Sequence, residues 1–201
     1  MKDIIIKKAT DLFLQLGFKN ITMDSLANEL AISKKTIYVH FKNKEELVVA
    51  GTDYMFAEIS NGIDEISRMN KNPIKELFVI KDFVMGNLKN ESTSPFYQLQ
   101  KYYPQVYEIL MSRKFTKMDK CVIENLKKGI KQHFYRDDIN LKLISRFYFS
   151  GIKSIQNAEL FNPIQFSPLE VQKTFLEYHL RAICTPKGID YLETIITTEN
   201  K

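Results

Sequence analysis

The sequence predicts an all-α protein, and three observations support this fold class. Apolar residues recur at three- and four-residue spacing along most of the 201-residue chain, which places them on one face of a helix. Capping residues, glycines and prolines separate the segments that carry this spacing. No segment alternates apolar and polar residues as a strand would. We therefore expect about nine helices and no sheet.

The first helix is predicted over residues 3–16 and ends at a glycine. Its apolar face comprises Ile5, Ala9, Leu12, Phe13 and Leu16. Gly17 supplies a left-handed residue, and a Schellman cap would bring Phe18 back onto Phe13.

The next two helices are short and are joined by a tight turn. Thr22 is the predicted N-cap of the second helix, whose buried stripe is Leu26, Ala27 and Leu30. Ser33 is the predicted N-cap of the third helix, in which Ile37 and Phe41 face inward. Two short helices at such a turn form a helix-turn-helix, whose second helix enters the major groove of DNA.

The outer surface of this motif is basic, although the chain as a whole is only weakly so. Residues 33–44 contain four lysines and no acid. The net charge of +5 is spread along the chain, and residues 1–50, with eight Lys and six Asp or Glu, carry only +2 of it. Charge therefore agrees with DNA binding, but the spacing of the motif is the stronger indication.

The remaining sequence predicts further helices at regular intervals. Asn43 would begin a fourth helix, with Glu46 completing a capping box, and Asn72-Pro73 opens an apolar run to Leu88. A polar loop is expected over 90–95. Helices are then expected from Phe96 to about Pro104 and over 106–134, 141–160 and 168–184. The last of these begins with the capping box Ser167 to Glu170, and residues 186–188 break the chain before a short helical tail.

The segment Gly17 to Val48 resembles the DNA-binding domain of the TetR family of bacterial repressors. The matching residues are Gly17, Phe18, Thr22, Ala27, Ser33, Thr36, Ile37, Tyr38, Phe41, Lys44, Glu45 and Leu47. The resemblance implies a three-helix DNA-binding domain over residues 1–46. It also implies a larger helical domain over residues 47–201 that binds an effector and dimerises.

The resemblance assigns roles to the exposed residues of the motif. It implies phosphate contacts by Thr22, Thr36, Tyr38, His40 and Lys44, and base contacts by Lys34, Lys35 and Val39, with Ser33 at the start of the recognition helix. Two residues depart from the family pattern. Ala31 stands where the family usually has glycine, at a cost of roughly 1 kcal/mol if the residue is left-handed. Lys35 stands where a small residue is usual.

The resemblance further implies a pocket for a small-molecule effector of unknown identity. Six aromatic residues lie between Phe96 and Phe115, and tyrosine suits a pocket that orients a mixed ligand. The candidate lining residues are Phe83, Tyr103, Tyr107 and Tyr148. For any one of these aromatics, plain core or interface packing is the more common role. Arg113, Arg146 and His133 are candidates for an anionic effector, although paired or solvated surface charge is favoured for each.

The helices predicted over 141–160 and 168–184 are candidates for a homodimer interface. Two helices from each subunit would form a four-helix bundle. The alternative is that they complete the core of a monomer. A dimer would present two recognition helices to a palindromic operator in double-stranded DNA, with half-sites about 34–36 Å apart.

Other classes of protein find little support in the sequence. The three histidines and two cysteines lack metal-ligand spacing, and neither a phosphate-binding loop nor a nucleophile elbow is present. We predict no enzyme activity, cofactor or metal, although a Cys121–His133 dyad stays open. No apolar run approaches the roughly 18 residues of a membrane span, and Met1 begins no export signal, so we expect a cytoplasmic protein.

These observations predict a sequence-specific transcriptional regulator, of which repression is the usual form in the family. The repressor would leave its operator when a small molecule binds the C-terminal domain. The alternative is a helical ligand-binding or protein-interaction module that does not read DNA specifically.

Overall fold

The computed structural model describes residues 1–88, 95–157 and 159–199, and this part of the chain is helical throughout its regular structure. Its ten helices are α1 (Lys2–Leu16), α2 (Met23–Glu29), α3 (Lys34–His40), α4 (Lys44–Arg68), α5 (Pro73–Asn87), α6 (Pro95–Tyr102), α7 (Pro104–Lys131), α8 (Leu141–Ile155), α9 (Pro168–Ile183) and α10 (Pro186–Glu199). Within the described ranges the only β-type pairing is an isolated bridge between Tyr135 and Cys184. The predicted all-α class is confirmed. Of the predicted loop over 90–95, only Pro95 belongs to the described residues.

The chain divides into two compact units. The first contains Met1–Asn61 and Asn87–Lys114, and the second contains Gly62–Gly86 and Phe115–Lys201. Helices α4 and α7 each continue from one unit into the other. This division follows packing, whereas the functional boundary predicted after residue 46 stays a prediction.

The core of the first unit joins the three N-terminal helices to α4, α6 and α7. Fully buried side chains from α1, α2, α3 and α6 meet there, including Ile5, Leu26, Ile37 and Leu99. The helix-turn-helix therefore shares its core with α6 rather than standing apart from the helices that follow it.

Helix α1 ends where the sequence predicts, but the conformation of its C-terminal cap differs from the predicted one. The Phe13 and Phe18 rings stack with centroids 4.9 Å apart. Gly17 has φ 84° and ψ 154°, which lies outside the left-handed helical region and is open essentially to glycine alone. The Schellman cap predicted here is therefore wrong, although glycine is still required.

The core of the second unit encloses a buried polar network. The Asn125 side chain donates to Glu76 Oε1 at 2.8 Å and to the Pro73 carbonyl at 3.0 Å. The Tyr135 hydroxyl donates to Asn125 Oδ1 at 3.1 Å, and Lys128 pairs with Glu76. Each polar group of this network thus finds a partner, which offsets the cost of burying it.

Several predicted helix boundaries need correction. Helix α8 ends at Ile155 instead of 160, because Asn157 Oδ1 accepts the Glu159 N–H at 2.8 Å and so competes with the helical pattern. The Ser167 side chain makes no capping bond, so the capping box predicted there is wrong. Pro186 begins the 14-residue helix α10, since proline is well tolerated at the first helical position.

Candidate nucleic-acid interface

Helices α2 and α3 begin at the two caps that the sequence predicts. Thr22 Oγ1 accepts the Ser25 N–H at 3.0 Å, and the Thr22 N–H donates to Ser25 Oγ at 2.8 Å. Ser33 Oγ accepts the Thr36 N–H at 3.1 Å. These bonds satisfy backbone donors that a helix start leaves free, and they fix where each short helix begins.

The turn between the two helices passes through a left-handed alanine. Ala31 has φ 52°, and the next residue, Ile32, donates its N–H to the Ala27 carbonyl at 3.0 Å. Alanine carries a penalty of about 1 kcal/mol against glycine in this conformation. Ala31 therefore adopts the left-handed conformation that glycine would adopt at lower cost.

Helix α3 buries one side and exposes the other. Ile37 is fully buried, whereas Val39 is 73% exposed. Lys34, Lys35 and Tyr38 are also exposed, and Thr36 and His40 are partly buried. An apolar side chain left open among basic and aromatic ones is suited to contact with base edges and thymine methyl groups.

Lys34 is held by an acid on the neighbouring helix. Its Nζ lies 2.7 Å from Asp24 Oδ2, and both side chains are exposed. This hydrogen bond raises the pKa of Lys34. No local spacing rule predicts this pair, because the two residues are ten positions apart and lie on different helices.

Lys44 is bound to the turn between α1 and α2. Its Nζ donates to the Lys19 carbonyl at 3.1 Å, and partial burial lowers the pKa of Lys44. The Lys19 N–H in turn donates to Gln98 Oε1 on α6 at 2.9 Å. Neither Lys19 nor Gln98 was singled out from the sequence, since the bond between them joins positions 79 apart.

The four candidate pocket residues are divided between the two units. Tyr103 and Tyr107 belong to the core of the first unit. In the second unit, the Tyr148 ring lies 4.7 Å from the His179 ring and 5.7 Å from Phe175. Phe83, also in the second unit, packs directly against Gly62.

Two of the three cations considered for an anionic effector have other side-chain contacts, whereas His133 is known here by its backbone contacts. Arg113 pairs with Asp53, and Arg146 lies 5.3 Å from the centroid of the Phe115 ring. His133 adopts φ 61°, and its carbonyl accepts the Thr185 hydroxyl at 2.8 Å. A fourth cation, Lys114, was missed because a lysine in an amphipathic helix carries no distinguishing sequence signal. Its Nζ lies 5.1 Å from the Phe96 ring centroid, and burial lowers the pKa of Lys114 to about 8.

Catalytic and metal chemistry gain no support from the described side chains. About 15 Å of helix separates Cys121 from Lys131 at the end of α7, which disfavours a dyad with His133. Burial also raises the pKa of the Cys121 thiol, away from the thiolate form that reacts. The described residues bring no three His, Cys, Asp or Glu side chains together for a metal. Among the described helices, none is long and apolar enough to cross a membrane.

The sequence resembles known bacterial regulators. Residues 5–50 match the model of the bacterial regulatory proteins of the tetR family. The HTH-type transcriptional regulator YhgD of Bacillus subtilis is 36% identical over 86 residues, which are 41% of this chain and 45% of that protein. The biofilm operon icaADBC HTH-type negative transcriptional regulator IcaR of Staphylococcus epidermidis is 40% identical over 47 residues, 23% of this chain and 25% of that protein. The chain thus covers less than half the length of these curated relatives.

Similarity of fold extends beyond the matched N-terminal segment. The crystal structure of a transcriptional regulator from Saccharomonospora viridis in complex with choline aligns with a TM-score of 0.73 and 13% identity, over 92% of this chain and 97% of that chain. At this identity the likeness concerns the fold alone. The chain thus resembles the tetR family of bacterial regulatory proteins in sequence over residues 5–50, and a solved transcriptional regulator in fold over 92% of its length.

Proposed function

We propose that the chain is a sequence-specific DNA-binding transcriptional regulator that acts as a repressor. The observation that carries the proposal is the exposed face of α3, where basic residues and Val39 surround a helix anchored by buried Ile37. IcaR, which is 40% identical over 47 residues, is a negative regulator. Repression is inferred from that likeness.

The proposed contacts fall into two groups. Phosphate contacts come from Thr22, Thr36, Tyr38, His40 and Lys44, and base contacts come from Lys34, Lys35 and Val39, with Ser33 fixing the start of α3. Phosphate contacts set the position on the duplex, whereas base contacts select its sequence. Lys35 is the strongest candidate for selection, since it is exposed and Lys34 is paired with Asp24.

We also propose that the chain binds DNA as a homodimer through α8 and α9. Leu143 and Phe147, one turn apart on α8, are 51% and 65% exposed, and Tyr178 on α9 is 72% exposed. An apolar stripe of this kind is costly in water and is typical of a subunit interface. Replacing Phe147 with Glu should convert the dimer into monomers in analytical ultracentrifugation, and a variant that stays dimeric would exclude this face.

The effector part of the proposal is that a small molecule bound by the helices after the DNA-binding domain weakens operator binding. The similar Saccharomonospora viridis protein was solved with choline. Tyr103 and Tyr107 in one unit, and Phe83 and Tyr148 in the other, stay the candidate contacts. Coupling would be reciprocal, so DNA would weaken effector binding by the same factor. The proposed regulator works in the cytoplasm, without enzymatic activity or a cofactor.

Selection of bound duplexes from a random pool tests the proposal. We expect the selected duplexes to share a palindromic consensus sequence. We also expect log affinity to fall linearly with log salt concentration, with a slope of about 0.9 for each phosphate neutralised. Lys44→Ala should weaken binding to all duplexes about equally, whereas Lys35→Ala should also change the selected sequence. Equal affinity for every duplex, or a flat salt dependence, would favour a helical interaction module instead.

A further inference from the structure

Lys114 is partly buried on α7, and it pairs with no acid among the described residues. On α7 it lies four residues after Leu110 and seven after Tyr107, so the three share one face of the helix. Leu110 and Tyr107 are buried in the core of that unit. The Lys114 ammonium lies 5.1 Å from the centroid of the Phe96 ring.

Three other cations of α7 have acidic partners, whereas Lys114 has none among the described residues. Arg113 pairs with Asp53, Lys117 with Asp64 and Lys128 with Glu76. Over the described part of the chain, Lys114 has no carboxylate within ion-pair distance. Removing an ammonium from water without an opposite charge is unfavourable, and the lowered pKa of Lys114 reflects that cost. Strongly perturbed groups of this kind concentrate at functional sites.

We propose that Lys114 binds the carboxylate of an amphipathic effector whose apolar part packs against Phe96 and Tyr107. This inference rests on the proposed function, because it names the class of molecule that the regulator senses. The proposed site contains Tyr107, which the sequence already suggested as a pocket residue. Lys114 and Phe96 are new to it.

The surroundings favour a carboxylate over a phosphate. A single ammonium donates up to three hydrogen bonds and balances one negative charge. Phosphate sites usually combine several cations, an arginine fork or backbone N–H groups, whereas Lys114 stands among aromatic and aliphatic side chains. A monoanion with an apolar body matches this combination of one charge and an apolar wall.

The position of Phe96 links the site to the DNA-binding domain. Phe96 and Gln98 lie two residues apart on α6, and Gln98 binds the Lys19 backbone whose carbonyl holds Lys44. A carboxylate that draws the Lys114 ammonium away from the Phe96 ring would therefore act on α6, within the same compact unit as the recognition helix.

Paired carboxylates and amides test the site without DNA. The probes are 4-phenylbutyrate and decanoate, each with its primary amide, and the readouts are the Tm and titration calorimetry. We expect at least one carboxylate to bind the wild type at least tenfold more tightly than its amide. Lys114→Met should lose this preference and Lys114→Arg should keep it. Lys120→Met, which removes the same charge from an exposed position of α7, should behave as the wild type.

Defined outcomes overturn the inference. Failure of both carboxylates to bind, equal binding of the amides, or an unchanged preference in Lys114→Met would each exclude it. Lys114→Met should also raise the Tm of the ligand-free protein, since it removes a partly buried charge that has no acidic partner among the described residues. A raised Tm also confirms that the variant folds. Binding to the selected duplex is measured separately. If the wild type binds carboxylate through Lys114 but binds no duplex, the proposed function fails while the ligand site stands.

Discussion

The Gln98 side chain on α6 accepts the backbone N–H of Lys19 at 2.9 Å, across 79 positions of the chain. The carbonyl of the same Lys19 accepts the Lys44 ammonium from α4 at 3.1 Å. Both backbone polar groups of one turn residue are therefore held by side chains from later helices. Lys44 is a proposed phosphate contact, so α6 is connected to the DNA surface through two hydrogen bonds.

Replacing Gln98 with Leu should weaken operator binding while leaving the fold intact. The change removes one hydrogen bond, worth about 1 kcal/mol or about fivefold in affinity if it is expressed fully in DNA binding. Gln100→Leu, at an exposed position of the same helix, is the matched control and should bind as the wild type. Fluorescence anisotropy with the selected duplex measures both. Equal affinities for the two variants would show that α6 does not support the Lys44 contact.

Gly17→Ala should destabilise the protein by about 1–3 kcal/mol, because two effects act together. The residue has φ 84°, and an added Cβ would overlap the Gln98 amide. Gly86→Ala on α5 is the control, since its Cβ would meet nothing within 4 Å. That helical glycine should instead gain about 0.4–1 kcal/mol. Urea denaturation gives the free energy of unfolding of both variants. A change of the same sign in the two variants would contradict this explanation.

Asp24→Asn should strengthen DNA binding. Asp24 holds the Lys34 ammonium at 2.7 Å, so a base edge must compete with the carboxylate for this lysine. We expect affinity to rise by roughly threefold, and the salt slope to change by less than the value of about 0.9 for one further phosphate neutralised, because Lys34 is proposed to contact bases. Glu29→Gln removes the same charge from α2 by breaking the Lys8–Glu29 pair. An equal gain in that variant would assign the effect to net charge alone.

The sequence predicted those features that depend on neighbouring residues. The caps at Thr22 and Ser33, the stop at Gly17 and the inward positions of Ile37 and Phe41 follow from local hydrogen bonding and helical spacing. The sequence predicts an energetic cost at Ala31 if this residue is left-handed, and its φ of 52° confirms that it is.

Features that depend on residues far apart in the chain could not be predicted in this way. Gln98 reaches Lys19 only because α6 packs beside α1, and Lys114 is distinctive only because no acid meets it in the described structure. Arg113 illustrates the converse, since its pairing with Asp53 across 60 positions removes it from the anion-binding candidates. Local periodicity gives the face on which a side chain lies, but not the partner that it meets there.

His179 should make the stability of the protein depend on pH. Its ring is 8% exposed and lies between the Tyr148 and Phe175 rings, with Nε2 lacking a hydrogen-bond partner among the described residues. Burial lowers the pKa of His179 to about 4 in the folded state, against about 6.5 in the unfolded chain. Above pH 6.5 the imidazole is neutral in both states. Below it the unfolded chain takes up a proton first, so stability falls as the pH drops toward 4.

His179→Phe isolates this effect, because it keeps an aromatic ring and removes the titrating group. The difference in unfolding free energy between variant and wild type should grow by about 2–3 kcal/mol between pH 7 and pH 4.5, in favour of the variant. Carboxylates titrate in both proteins and cancel in the difference. Urea denaturation across this range gives the free energies, and NMR titration of the imidazole gives the midpoint directly. Two results would contradict this prediction: unfolding free energies of variant and wild type that change in parallel with pH, or an imidazole that titrates near pH 6.5. Either would mean that His179 is hydrated or hydrogen-bonded, because only a desolvated imidazole resists protonation across this range.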